Sequence, residues 1–384
     1  MSNRPVIVVD AGSYSLAETS IAGAGQRLAE IAQVLGDRFV VRVICSPAPD
    51  LVDLGAAEEV AHGGAAEQAI AGADAVMFFD TPDRNRIELA VSHRKLIIGE
   101  CRAPIEHMSY PSVLTFADPI GEHQRFLGTY RRMLQVAHHF LCRSQVERAA
   151  LLSTLCAFGR TTPADIMRSA TLDHLITTIP IGFSRRGLNA AEAAPPVHMA
   201  DFLWTGGIWA FFEPLMLVEA MGILRDRGVD TTAAFMHAAP TDDTRSTIGA
   251  VGRAIDHLAL GDRVHLHTEP LPFSARDQYV KTAEAYVCIA RPGAENETGT
   301  RLRLRDTWLH GVPTIIDPYG ISGDLVAREG IGVVLREPGA ECLADALQQV
   351  KSGAIGRTGR RMERLYENSM VAFMDWLERE LHGG

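Results

Sequence analysis

The chain alternates short apolar runs with amphipathic segments, which is typical of strands that alternate with helices. The run RPVIVVDA at 4–11 is apolar almost throughout and predicts a strand buried on both faces. A helix is expected at about 25–36, and a helical stretch at 129–160 is expected to be broken by a short strand near Cys142–Ser144. Further strands are predicted at 39–46, 74–81, 95–100 and 172–183. This alternation indicates a parallel sheet with right-handed crossovers.

The same pattern restarts near residue 200. Residues 184–199, SRRGLNAAEAAPPVHM, are polar, rich in alanine and contain two prolines, which is typical of an interdomain linker. A long helix at about 358–381 ends the chain. The strands of the second half are expected at 201–209, 231–238, 264–268, 284–290, 312–317 and 330–335. We therefore predict an α/β protein of two doubly wound, Rossmann-like domains that face a cleft.

Length, charge and cysteine usage narrow the class of protein. A length of 384 residues suits two or three domains. The net charge of −10 argues against a broad nucleic-acid or membrane-surface footprint. No segment approaches the roughly 18 apolar residues of a membrane span, and the start is typical of a strand rather than a signal peptide. Six scattered cysteines without C-x-x-C indicate reduced thiols, so we expect a cytoplasmic protein with no metal.

Two glycine-containing turns are candidates for anion binding. The stretch GAGQRL at 23–28 lacks the third glycine of a dinucleotide fingerprint and begins more than ten residues after its strand, which favours a plain helix start. The stretch WTGGIW at 204–209 follows its strand directly. Gly206 and Gly207 there either let backbone amides approach an anion or form an ordinary turn.

The most informative stretch is ENETGTRLRLRDTWLHGVPTIID at 295–317. Thr298 or Thr300 is expected to cap a helix that runs to about His310. Arg301 and Arg303, beside the helix N-terminus, are expected to bind a diphosphate. The alternative is a solvated, salt-bridged helix start.

Carboxylates in the same stretch suit hydroxyl groups. Asp306, on the following turn, is expected to accept hydrogen bonds from both hydroxyls of a ribose. Glu295 and Glu297 are expected to accept hydrogen bonds from the hydroxyls of a sugar. A sugar nucleotide would satisfy the arginines and the acids together. The predicted donor-binding residues are Gly206, Gly207, Glu295, Glu297, Thr298, Gly299, Thr300, Arg301, Arg303 and Asp306.

The first half offers candidates for the reaction itself. In GECRAPIEHMSY at 99–110, His107 is the candidate for acid/base or oxyanion chemistry, with Glu106 and Arg102 beside it. A surface-loop histidine is the alternative. Gly12 and Ser13, which follow the first strand, are expected to contact donor phosphates or the acceptor.

Three stretches resemble the GT-B glycosyltransferases, specifically a bacterial branch near glycosyltransferase family 4. They are FLWTGGIWAFFEPLMLVEAM at 202–221, ENETGTRLRLRDTWLHGVPTII at 295–316 and FLCRSQVERAALLSTLCAFGR at 140–160. The similarity in organisation covers nearly the whole chain, and the motif similarity is specific in the second half.

The resemblance implies transfer of a sugar from a UDP or GDP sugar to a small-molecule acceptor, with retention, without a metal and without a further cofactor. It implies that Arg301 and Arg303 meet the diphosphate, Asp306 the ribose, and Gly206 and Gly207 the phosphates. The implied domains are 1–185 for the acceptor, a linker at 186–200, 201–357 for the nucleotide sugar, and a helix at 358–384 that packs back on the first domain.

The chain departs from the family pattern at two places. Thr298, with Glu297 adjacent, stands where the family has a Glu, and Ala103 precedes Pro104 where the branch has Tyr-Asp-Pro. The acceptor group is therefore left open among hydroxyl, amine and thiol. A sugar-nucleotide epimerase and an inactive GT-B partner subunit also remain open, as does a homodimer. Composition hints at bacterial secondary metabolism, including antibiotic biosynthesis.

Overall fold

The computed structural model describes residues 4–79, 82–100, 104–108, 111–237 and 240–382. These residues form two compact units. The first unit contains the described residues up to Met108, Phe116–Gly187 and the described residues from Glu363 onward. The second unit contains Leu188–Met362 and a short segment that ends at Thr115.

The first unit is built on one parallel sheet. Its strands are β1 (Val6–Asp10), β2 (Val40–Cys45), β3 (Glu58–Ala61), β4 (Ala75–Phe79), β5 (Leu96–Glu100), β6 (His139–Cys142) and β7 (Ile176–Thr178). In the described part of the chain they lie in the order β3-β2-β1-β4-β5-β6-β7, and every neighbouring pair is parallel. Ile7, Val8 and Val9 of β1 are fully buried, because helices cover both faces of such a sheet.

The second unit contains a smaller parallel sheet. Its strands are β8 (Phe202–Trp204), β9 (Ala233–Phe235), β10 (Val264–Leu266), β11 (Ala285–Cys288), β12 (Thr314–Ile316) and β13 (Gly332–Val334). Their order is β10-β9-β8-β11-β12-β13, again with parallel neighbours. The prediction of an α/β protein with two doubly wound parallel sheets is confirmed.

Helices connect the strands in both units. Up to residue 200 they are α1 (Gly23–Leu35), α2 (Gly64–Gly72), α3 (Arg84–Ser92), α4 (Pro104–Met108), α5 (Pro111–Thr115), α6 (Pro119–Val136), α7 (Gln145–Ala157), α8 (Pro163–Arg168) and α9 (Arg185–Ala193). They continue with α10 (Pro214–Asp226), α11 (Arg245–His257), α12 (Phe273–Val280), α13 (Ala294–Thr298), α14 (Leu304–His310), α15 (Gly320–Glu329), α16 (Ala340–Lys351), a 3₁₀ turn at Met362–Arg364, α17 (Tyr366–Ser369) and α18 (Val371–His382).

Some local elements differ from the sequence predictions. β3, with sequence EEVA, was not predicted, because an exposed edge strand needs no continuous apolar run. The strand expected at 172–183 is only three residues long. The break in the helical stretch is β6, slightly earlier than expected. Helix α9 occupies much of the segment predicted as a linker, since its alanines and Leu188 favour a helix with one buried side.

An aromatic stack on β6 holds the last helix in the first unit. The ring of His139 is fully buried, 4.0 Å from that of Trp376, and it also stacks on Phe373. Nδ1 of His139 lies 2.9 Å from the carbonyl oxygen of His174, which can only accept, so Nδ1 carries the proton. Burial lowers the pKa of His139 to about 4.

We predict that acid destabilises the first unit through His139. Its folded-state pKa lies below the ordinary 6.5, so stability falls as the pH decreases from about 6.5 towards 4, by roughly 2–3 kcal/mol. Denaturant unfolding at about pH 7 and about pH 4.5 measures this loss. Between these two pH values, His139→Gln should lose less stability than the parental protein. His93→Gln, at an exposed position, should lose as much stability as the parent. An equal loss in the His139 variant would contradict the assignment.

Candidate functional site

The second sheet has its topological switch point between β8 and β11. From β8 the chain proceeds to β9 and β10 on one side, and β11 begins the other side. Ligands of open α/β sheets bind outside the carboxyl ends of the strands at such a point. The segments that leave these two strands contain both anion-binding candidates of the second half, Gly206–Gly207 and the charged stretch from Glu295.

The charged stretch is not the single helix that was predicted. α13 ends at Thr298 and α14 begins at Leu304, so Arg301 lies in the loop between them. The hydroxyl of Thr298 donates to Ala294 O at 3.2 Å inside α13, and Arg303 occupies the N-cap position of α14. The predicted cap by Thr298 or Thr300 was therefore wrong, because Thr298 is engaged within α13 and Thr300 lies three residues before the N-cap position. Positive charge at this site comes from guanidinium groups.

The guanidinium of Arg303 lies against the glycine turn. Its Nη2 donates to Gly207 O at 3.1 Å, and its Cζ lies 4.1 Å from the ring centroid of Phe212 and 5.3 Å from that of Trp204. A Cβ on Gly206 would lie 2.8 Å from Nη2, so the glycine provides room for the arginine. Burial lowers the pKa of Arg303 below its ordinary value.

Arg303 lacks a counter-charge in the described part of the chain. Its Nη1 is shielded from solvent and has no hydrogen-bond partner among the described residues, and no described carboxylate lies within 4.0 Å of its nitrogens. Charges removed from water are normally paired and hydrogen-bonded. An anionic ligand would supply the missing partner.

Arg301 is in a different situation, because it forms a buried ion pair. Its Nη1 donates to Asp317 Oδ2 at 2.6 Å and to Cys288 O at 3.0 Å, and its Nη2 donates to Asp317 Oδ1 at 2.9 Å. Burial opposes the charged form, but the interactions with Cys288 and Asp317 raise the pKa of Arg301 above its ordinary value. The charge of Arg301 is thus neutralised within the protein.

Asp306 also forms a buried ion pair. Its side chain is 1% exposed, and it accepts hydrogen bonds from both terminal nitrogens of Arg276, that from Nη1 at 2.8 Å. Burial raises the pKa of Asp306, but Arg276 outweighs this effect and the net shift is downward. Arg276 also donates to Thr205 O at 3.4 Å, which links the pair to the turn after β8. The predicted ribose contact of Asp306 stays a prediction.

A histidine in the turn after β9 belongs to the same neighbourhood. Burial, followed by the charge of Arg276, lowers the pKa of His237 to about 4. His237 is therefore neutral at pH 7 and adds a polar group without adding charge.

The other predicted donor residues lie on α13 or in the loop after it. Glu295 and Glu297 are in α13, and the amide of Gly299 closes that helix by donating to Glu295 O at 2.8 Å. Thr300 is 6% exposed, and its Oγ1 has no hydrogen-bond partner among the residues described. Contact of these residues with a donor stays a prediction.

The first unit has its own polar cluster at the carboxyl ends of β1, β2 and β3. Asp10 is fully buried and accepts hydrogen bonds from Arg86 Nη1 at 2.9 and 3.0 Å and from Gly12 N at 3.0 Å. Arg86 Nη2 lies 2.6 Å from His62 Nδ1, and His62 Nε2 lies 3.3 Å from Ser46 Oγ. A guanidinium only donates, so Nδ1 accepts and Nε2 carries the proton.

The predicted catalytic residues are only partly described. Glu106, on α4, accepts a hydrogen bond from Arg143 Nη2 at 2.6 Å, and Arg143 also pairs with Glu147. The backbone of His107 lies in α4, but its side chain is not among the described ones, and Arg102 lies outside the described residues. Ser13 shares the turn that begins at Gly12, where φ is +59°.

Sequence reasoning missed the partners of the charged residues. Arg276, Asp317 and His237 were not predicted, nor was the pairing of Asp10 with Arg86. The one local signal was an acid directly after an apolar run, at Asp10 and at Asp317. Their partners lie 76 and 16 residues away, so sequence spacing does not reveal them.

A scan against protein-family models and a search of curated proteins found no match. Solved structures do resemble this chain over its full length. Sucrose-phosphate synthase from Thermosynechococcus elongatus has a TM-score of 0.64 at 14% identity, covering 99% of this chain and 100% of the other. The Anabaena protein HepE, in complex with UDP-glucose, has a TM-score of 0.59 at 13% identity, covering 98% and 95%. WaaG, a glycosyltransferase involved in lipopolysaccharide biosynthesis, has a TM-score of 0.58 at 14% identity, covering 98% and 100%.

These similarities confirm the predicted GT-B fold. At such low identity they establish the fold alone, so the narrower resemblance to family 4 stays a prediction. Across the described ranges, no helix combines the length and hydropathy needed to cross a bilayer. In those same ranges, no three His, Cys, Asp or Glu side chains are grouped to hold a metal ion.

We predict that the pair of Asp306 with Arg276 is required for stability. Asp306→Asn leaves the buried Arg276 without its ion-pair partner, which should lower the free energy of unfolding by roughly 3–5 kcal/mol. The control is Glu341→Gln, which removes an exposed partner of Arg227 and should cost under about 1 kcal/mol. Urea unfolding of both variants compares the two losses, and equal losses would show that the buried pair is not needed.

Proposed function

We propose that this protein transfers a glycosyl group from a nucleoside-diphosphate sugar to a small-molecule acceptor. The observation that carries the proposal is the unpartnered Nη1 of Arg303 at the switch point between β8 and β11. A diphosphate would supply the missing counter-charge, and a guanidinium can hold two phosphate oxygens at once. The amides of Gly206 and Gly207 and the hydroxyl of Thr300 are the neutral donors that we assign to the same group.

The similar structures support a nucleotide sugar as the donor. HepE was solved with UDP, with UDP-glucose, and with UDP and glucose. Trehalose-phosphate synthase from Burkholderia vietnamiensis, another similar structure, is described as UDP-forming. We therefore assign a UDP sugar as the first donor to test, with a GDP sugar as the second. Glu295 and Glu297 are assigned to the sugar hydroxyls.

The reaction that we assign is a front-face substitution with retention. The bond from the anomeric carbon to the diphosphate oxygen breaks, and a bond from that carbon to the acceptor heteroatom forms. The acceptor proton passes to the leaving diphosphate, so the products are the glycosylated acceptor and a nucleoside diphosphate. Arg303 stabilises the negative charge that develops on the leaving group, which is where a fixed cation lowers the barrier.

We assign the acceptor to the first unit. Its candidate contacts are the Asp10–Arg86–His62 cluster, where Nε2–H of His62 is an exposed donor, together with Gly12 and Ser13. Glu106, His107 and Arg102 remain the candidates for handling the acceptor proton. We extend the proposal to a cytoplasmic enzyme of bacterial secondary metabolism such as antibiotic biosynthesis, acting on a hydroxyl, amine or thiol.

We predict that Arg303→Met lowers kcat/KM for a UDP sugar by about 100-fold, because removing one donor to a developing charge typically has this effect. Release of UDP from UDP-glucose in the presence of mixed small acceptors measures the rate. The matched control is Arg227→Met, at an arginine paired with Glu341 and Asp345 on the surface of the same unit, which should keep the parental rate.

The same assay separates the proposed reaction from its alternatives. Conversion of the donor into an isomeric sugar nucleotide without UDP release would identify an epimerase. Nucleotide binding without transfer or hydrolysis for any donor and acceptor would identify a binding subunit. Full activity of Arg303→Met would refute the role of this arginine.

We also predict that a chelator leaves transfer unchanged. Arg303 supplies positive charge where other transferases place a divalent cation, so EDTA should alter kcat by less than about twofold. The measurement compares initial rates with EDTA and with added magnesium, and a large loss restored by magnesium would contradict the assignment.

A further inference from the structure

Asp317 is the buried acid that follows β12, and its carboxylate forms hydrogen bonds with three segments of the second unit. Its side chain is fully buried. Besides both terminal nitrogens of Arg301, it accepts hydrogen bonds from Ala290 N at 2.7 Å and from Tyr319 N at 3.1 Å. It therefore joins the loop after β11, the loop before α14 and the loop after β12.

Arg301 is fixed at its backbone as well as at its guanidinium. Its amide donates to Ser322 Oγ at 3.0 Å, and its carbonyl accepts from Leu304 N at 3.1 Å. The side-chain nitrogens Nη1 and Nη2 are both occupied by Asp317, and Nη1 also by Cys288 O. Nε of Arg301 has no partner among the described residues, but the pairing of both terminal nitrogens leaves the guanidinium poorly placed to turn towards a phosphate.

Arg303 lies two residues further along the same anchored loop. Its carbonyl accepts from Asp306 N at 3.2 Å, and its side chain reaches the turn of Gly206 and Gly207. The position of Arg303 thus depends on where Arg301 is held, and Arg301 is held by Asp317.

We infer that Asp317 is a positioning residue, which acts through Arg301 to hold Arg303 where the donor diphosphate binds. This inference rests on the proposed function and gives Arg301 a different role from the phosphate contact predicted from sequence. Arg301 is the connection between Asp317 and the binding loop, and Arg303 is the arginine that contacts the ligand.

A double-mutant cycle tests this dependence. Asp317→Asn keeps the shape of the side chain but removes its charge, and it should weaken UDP binding about tenfold, the size of effect typical of groups that orient a ligand contact. In the Arg303→Met background the same substitution should weaken binding less than about twofold, since the residue through which Asp317 acts is gone. Calorimetry measures the tight complexes and NMR titration the weak ones.

Folded protein is verified for each variant by circular dichroism and by its thermal transition. Should Asp317→Asn fail to fold, Ser322→Ala removes the milder anchor of the same loop and is expected to show the same dependence on Arg303 with a smaller loss. Unchanged UDP affinity of the folded single variants would overturn the inference. Equal losses with and without Arg303 would also overturn it, because a residue that only supports the fold would act independently of Arg303.

Measurement of nucleotide binding to the parental protein separates a failure of this inference from a failure of the proposed function. Binding of UDP or GDP to the parent with unchanged affinity in Asp317→Asn refutes the positioning role alone. If the parent binds neither nucleotide, the proposed function fails, and the positioning role fails with it.

Discussion

The second unit depends on the requirement that a charge removed from water needs a counter-charge. Arg276 meets this requirement with Asp306, and Arg301 meets it with Asp317. Arg303 lies between Arg301 and Asp306 in the sequence, but it has no carboxylate partner among the described residues. Arg303 is partly buried, and a cation with little access to water is normally paired, so an anionic ligand would restore the balance here. The imbalance is localised at the switch point, where the sheet topology already favours ligand binding.

The two units use the same arrangement at the carboxyl edge of their sheets. Each places an acid at the carboxyl end of a buried strand, with Asp10 as the last residue of β1 and Asp317 directly after β12, and pairs it with an arginine from a neighbouring segment. The acid also accepts backbone amides of its own loop, at Gly12 in one case and Tyr319 in the other. An ion pair at this place neutralises both charges and fixes the loops that leave the strands. The first unit differs in that the pair continues outward to His62.

The fold could be predicted from the sequence because its signals are local. A run such as VIVVD in β1 indicates a strand buried on both faces wherever it occurs, and alternation of such runs with helices implies parallel sheets. Two elements, β3 and α9, could not be predicted from such local signals. β3 is polar, and α9 lies in a segment whose composition is typical of a linker, so packing rather than local pattern decides them.

The site was predicted less completely, since its geometry depends on residues distant in sequence. The charged stretch could be singled out from the sequence, but spacing could not tell which arginine is paired, because the acids that pair with Arg276 and Arg301 lie 30 and 16 residues away. Structures with 13–14% identity share the fold of this chain, so the fold does not depend on most of the individual side chains. Chemistry is under a stricter constraint, because it depends on single groups in a defined geometry rather than on the apolar pattern. A resemblance in fold therefore narrows the search to one edge of the sheet, while the pairing of the arginines leaves Arg303 without a carboxylate partner among the described residues.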